Sequence, residues 1–229
     1  MEIQTYIYNA ANRATYKKIF ALIVTANIFI CYLVYALIPD ARPYLLDEDK
    51  IVETISALLF LAAFVIGLPR VFVLRRERPY WVLVLATFIG LLGFLDEVSF
   101  GERIFVIDFP RIYDVKFDGA HDLFYFAAKT VKVLADKFGY IIYISIIAAG
   151  AFIPTFIMIK KFAAVKKFYC IIVDYTPYYF MAIFCCFIFL ALLIDLDFIK
   201  WKPLILLEEL LEMNAALALI FCSRSARHG

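Results

Sequence analysis

The sequence predicts an all-α fold: a polytopic membrane helical bundle of about six transmembrane helices plus one interfacial or re-entrant helix. Three observations predict it. Of the 229 residues, 65% are hydrophobic and only 19% are charged, with a mean hydropathy of +0.87; a soluble domain has about 25% charged residues. Six stretches approach the roughly 20 apolar residues that a helix needs to cross the hydrocarbon core. Basic residues gather in alternate connections, as the positive-inside rule requires. The same figures exclude a disordered chain, a collagen and a small disulfide scaffold. A net charge of +2 without a separate basic domain argues against a nucleic-acid partner. The period-2 alternation of a membrane β-barrel is absent.

The spans fall at about residues 19–39, 51–69, 80–98, 140–159, 176–195 and 203–222. The first is longer than the apolar region of a secretion signal. It is followed by Ile38-Pro39-Asp40-Ala41 rather than a small-residue cleavage site, so it reads as a retained helix. The third starts near Tyr80 and reaches Leu95 or slightly beyond. The fifth has an apolar lead-in from Phe168 to Val173. Tyr80, Trp81, Tyr140, Tyr178, Tyr179 and Trp201 stand at span ends, where amphipathic rings suit the interface. No Gly-, Ser- or Pro-rich linker divides the chain, and it reads as one membrane domain, residues 1–229. The longest connection, residues 96–139, has helical spacing in its second half. There Leu123, Phe124, Ala127, Val131 and Leu134 are apolar, as in a helix lying on the bundle.

Orientation follows from four segments. Arg13, Lys17 and Lys18 precede the first span. Arg70, Arg75, Arg76 and Arg78 lie between the second and third. Lys160, Lys161, Lys166 and Lys167 lie between the fourth and fifth. Arg224 and Arg227 follow the sixth. Six crossings put all four on one side, which is predicted to be cytoplasmic together with both termini. The expected location is a cell (inner) membrane, with the lipid bilayer as obligatory partner. Cys31, Cys170, Cys185, Cys186 and Cys222 lie in or beside apolar spans without CxxC spacing, and read as small packing residues rather than ligands.

The acids mark a site. Glu208, Glu209 and Glu212 lie in the sixth span. Were they outside the bilayer, the 13 residues from Leu210 to Cys222 would cover only about 20 Å, too short for a core of about 30 Å. They therefore lie one to two turns inside, and an intramembrane carboxylate normally faces protein or a wet cavity. Glu53, with Ser56 one turn deeper, opens the second span. Asp96 and Glu97 close the third. Glu102 and Arg103 follow, and His121 and Asp122 open the loop helix. Acids are expected on the outer side in any case, so Asp40, Asp47, Glu48, Asp49, Asp195 and Asp197 read as solvated.

Such a cluster has three chemistries. It can hold a divalent cation, oxygen ligands suiting Mg, Ca and Mn and a histidine admitting Zn or Fe. Crowded acids can instead share a proton. The acids can also pair with Arg103 in a static network. No H-E-x-x-H or Glu-x-x-His pattern favours the first.

The segment Leu95-Asp96-Glu97-Val98-Ser99-Phe100-Gly101-Glu102-Arg103-Ile104 resembles a motif of bacterial multi-span integral membrane proteins with no settled activity. That motif runs G-E-E-I-S-W-G-Q-R-I and is followed by a loop ending N-L-H-N. Asp96, Glu97, Ser99, Gly101, Arg103 and Ile104 fit the first part, and His121 fits the second. Leu95, Phe100 and Glu102 depart from it. The resemblance implies that the acids, Arg103 and His121 form one site, and implies no reaction.

The leading expectation is an outer-leaflet pocket of a divalent-metal-dependent enzyme acting on a lipid or lipid-linked substrate. Glu97, His121, Glu208 and Glu212 would hold the metal. Arg103 would clamp a phosphate or carboxylate, and Glu209 or Asp96 would act as general base. Glu53, Ser56, Ser99, Glu102 and Asp122 complete the candidate pocket. The alternative is a proton- or cation-coupled transporter or channel using the same carboxylates. A third reading is a small subunit whose acids meet a membrane-protein partner or a second copy of the chain.

Overall fold

The computed structural model describes residues 2–46, 51–75, 80–98, 111–112, 115–116, 175–195 and 202–226. The expected span 140–159 and the loop helix of residues 121–137 lie outside them. Six helices are described: α1 (Glu2–Leu37), α2 (Arg42–Leu46), α3 (Ile51–Val73), α4 (Tyr80–Glu97), α5 (Thr176–Asp195) and α6 (Lys202–Ser225). A single 3-10 turn, Pro39–Ala41, joins α1 to α2. The chain divides into two compact units, residues 1–97 with 172–229, and residues 98–171. The described part of the second is a two-residue antiparallel ladder between β1 (Arg111–Ile112) and β2 (Val115–Lys116), Arg111 opposite Lys116. No strand periodicity marks it in the sequence.

Among the described residues, four helical segments are long and apolar enough to cross a membrane: Ala14–Leu37, Ile51–Val73, Tyr80–Glu97 and Thr176–Ile194. Their outward side chains form the coat that a bilayer solvates. Trp81 is 77% exposed, Phe72 74% and Leu22 71%, an inside-out pattern unsuited to water. The chain is an integral membrane helical bundle. α6 has spanning length, about 36 Å for its 24 residues, but carries three glutamates. It is the central helix, packed against α1, α2, α3, α4 and α5. Leu206, Leu210, Asn214, Ala215, Ala216, Ala218, Leu219, Cys222, Ser223 and Ser225 of α6 are all buried. The most polar span is therefore the most enclosed, because protein rather than lipid can satisfy its polar groups.

Three boundaries differ from those expected. α1 starts near the N-terminus, well before residue 19, since no breaker interrupts the chain from Glu2. α3 does not stop at Pro69 but runs to Val73. The proline removes one backbone donor, yet the turn beyond it is anchored: the Arg70 guanidinium donates to the Ser223 carbonyl of α6, and Leu74 N–H closes on Arg70 O at 2.8 Å. α6 runs past Cys222 to Ser225. Ser225 Oγ, donating to Cys222 O, and Arg70 together satisfy carbonyls that a helix end leaves open.

Among the described residues three apolar clusters hold the bundle, the smallest joining Leu74, Leu83 and Ala226. At the α1–α5–α6 junction Phe20 packs on Phe180, Phe187 and Phe221, with ring centroids 5.2, 6.5 and 5.3 Å apart. Lys17 Nζ lies 4.3 Å from the Tyr179 ring centre at the same end, a cation–π contact. The second core joins Val52 of α3 to Leu206, Leu210 and Met213 of α6. Cys222 packs as expected, its Sγ 3.3 Å from Pro177 O. Cys185 and Cys186 do not: they are exposed on α5.

Candidate functional site

Small residues set the register that builds the site. A β-carbon on Gly67 would overlap Thr87 Oγ1; one on Gly90 would lie 2.9 Å from Phe64 N and 3.2 Å from Phe60 O; Gly93 lies under the Phe60 ring. These contacts make α3 and α4 antiparallel with closely apposed backbones, as small residues permit. Continued one turn, the same register carries Ser56 and Ala57 to the level of Glu97. The Gly67 β-position would also lie 3.3 Å from Ser223 Oγ of α6. With Val52 on Leu206 and Leu210, α3 and α6 run parallel. Eleven residues back from Gly67 and from Ser223 stand Ser56 and Glu212. Eleven residues is three helical turns plus about 20°, so each keeps nearly the same face. Ser56, Glu97 and Glu212 thus form one layer, with Glu53 and Glu209 level with each other one turn beyond.

Electrostatics agrees with this register. Glu97, 9% exposed, feels the like charges of Glu212, Glu53, Glu209 and Asp96, in that order of strength. Glu53, Asp96, Glu209 and Glu212 are each half-buried, and Ser56 is 1% exposed. Three helices therefore bring five carboxylates to one end of the bundle. Glu208, half-buried on α6, is not among the four that act on Glu97. Glu209 and Glu212 act on Glu97 from α6. The i,i+3 side of α6 is the one that α3 and α4 meet.

The expected metal set of Glu97, His121, Glu208 and Glu212 is not assembled among the described residues. No three Asp, Glu, His or Cys side chains there are grouped to hold a metal ion. His121, Ser99, Glu102, Arg103 and Asp122 lie outside the described residues.

Three polar features escaped the sequence reading. Asn27 Nδ2 of α1 donates to Asn214 Oδ1 of α6 at 3.2 Å, and Asn214 Nδ2 donates to Leu210 O at 2.7 Å. An asparagine amid apolar residues on each helix was the available signal. Arg42 is a cation near the start of α3, held by Tyr35: its Nε donates to Tyr35 O at 2.9 Å and its guanidinium lies 5.0 Å from that ring centre. Tyr32 Oη donates to Pro203 O at 2.6 Å and ties α1 to the start of α6. The opposite end carries Lys17, Arg70 and Arg224.

No protein-family profile, no characterised protein and no solved structure matches the chain.

Proposed function

We propose that this is a multi-pass inner-membrane protein with cytoplasmic termini, whose acidic end binds and releases protons as part of a proton-coupled transporter or channel. One observation carries the reading: a buried glutamate, Glu97, ringed by four further carboxylates from three helices. Two unit charges 4 Å apart interact by about 4 kcal/mol at an effective dielectric of 20. A group of five acids at one end of the bundle is therefore sensitive to every proton gained or lost. Intramembrane carboxylates of this kind are typical of proton and ion pathways. A proton makes smaller geometric demands than a metal, since it needs one carboxylate and one acceptor within hydrogen-bond distance. The likeness to bacterial multi-span proteins, carried by Asp96, Glu97, Ser99, Gly101, Arg103, Ile104 and His121, supports a site built around these acids. The enzymatic reading on a lipid substrate depends on Arg103 and His121, beyond the described residues.

The test is proton flux into proteoliposomes containing a pH-sensitive dye, under an imposed pH gradient. The expected result is flux above empty vesicles, abolished in Glu97→Gln and Glu212→Gln. Flux equal in wild type and both variants would defeat the proposal.

A further inference from the structure

The carbonyl of Tyr35 is among the last four of α1, which a helix leaves without an intrahelical donor. Arg42, at the start of α2, supplies that donor with a single atom. Its Nε donates to Tyr35 O at 2.9 Å, and its guanidinium lies 5.0 Å from the Tyr35 ring centre. A guanidinium carries five N–H donors in a rigid fork, so the four on Nη1 and Nη2 are not needed by the helix end. Among the described residues they meet no acceptor and no carboxylate. Even Asp40, two residues back, is exposed and does not pair with Arg42. The support of this cation is rigid, because Leu45 and Leu46 of α2 pack on the core of Val52, Leu206 and Leu210. Its surroundings are amphipathic. Arg42 is half-buried, while Leu37, Ile38 and Tyr44 beside it in the chain are exposed.

We propose that Arg42 is a lipid-headgroup site, its Nη fork binding the phosphate of an anionic phospholipid at the end of the bundle where α3 begins. Two phosphate oxygens match the fork, and such paired bonds are charge-assisted and among the stronger hydrogen bonds. The Tyr35 carbonyl and ring hold the guanidinium plane before any ligand arrives, so less freedom is lost on binding. A lysine would keep the charge but lose both the fork and the stacking. The exposed apolar flank selects a phosphate that is carried on acyl chains over a free one: Leu37 and Ile38 offer the chains a surface, and Tyr44 suits the headgroup level. The site uses none of the five clustered carboxylates and does not depend on proton flux.

The experiment is native mass spectrometry of the full-length protein in detergent, with added phosphatidylglycerol, diacylglycerol of the same chains, or inorganic phosphate. The wild type is expected to hold a phosphatidylglycerol adduct and no diacylglycerol adduct. Arg42→Lys is expected to weaken the adduct about tenfold, the loss of one charge-assisted hydrogen bond. Tyr35→Leu removes the ring and keeps the backbone carbonyl, and is expected to fall between the two. Lys18→Gln and Arg75→Gln change exposed cations elsewhere on the bundle and are expected to leave the adduct at the wild-type level. Equal adducts on wild type and Arg42→Lys would overturn the site, as would loss of the adduct in Lys18→Gln or Arg75→Gln instead. Displacement of the lipid by an equal concentration of inorganic phosphate would overturn its assignment to a lipid.

Discussion

Gly67 and Thr87 touch so closely that α3 and α4 have no room for a methyl group between them. A β-carbon at position 67 would overlap Thr87 Oγ1 and lie 3.1 Å from Thr87 Cβ. The hydroxyl is itself bonded to Leu83 O, so it does not swing aside freely. Alanine has the higher helix propensity, by up to about 1 kcal/mol, but overpacking costs about 1–3 kcal/mol. Gly67→Ala is expected to be destabilising in detergent unfolding. Adding Thr87→Ala should restore much of the loss. A stabilised single variant would contradict the contact.

Gly90 should tolerate substitution less well. Its would-be neighbours are the backbone atoms Phe64 N and Phe60 O, and no side-chain rotation relieves a clash with backbone. Gly90→Ala is expected to lower the melting temperature more than Gly67→Ala, and no single partner substitution should rescue it.

The Asn27–Asn214 hydrogen bond joins α1 to the central helix. Interhelical hydrogen bonds in membranes average about 0.6 kcal/mol and reach about 1.7. Asn27→Leu leaves the buried Asn214 carbonyl without its donor, so a loss on the order of 1 kcal/mol is expected. A double-mutant cycle with Asn214→Leu measures the coupling, and a coupling of zero would show that the bond contributes nothing.

Glu97→Gln keeps the shape of the side chain and removes one of five crowded carboxylates. Functional sites are commonly held at a stability cost, and relieving one yields about 0.5–2 kcal/mol. The variant is expected to melt at or above the wild-type temperature while losing proton flux. A lower melting temperature would show that Glu97 serves chiefly as an ion-pair partner.

Orientation is checked by single-cysteine labelling with an impermeant reagent in a cysteine-free background. Positions 75 and 166 are expected to be protected in intact cells, and positions 47, 118 and 200 to react. Labelling at 166 but not at 118 would reverse the bundle.

What the sequence determined by itself is the helical membrane architecture. A hydrophobic run of spanning length has only one way to satisfy its backbone in lipid without a closed barrel. The bounds of α4 and α5 were legible for that reason, as was the segregation of Lys17, Arg70 and Arg224 from Glu53, Asp96 and Glu97. Local pattern misled at Pro69, because Arg70 finds its anchor on Ser223, a residue 153 positions away. Only the tertiary structure decided that acids of three helices act on Glu97. The register of α3 against α4 is fixed by the close approaches at Gly67, Gly90 and Gly93, whose partners no spacing along the chain reveals.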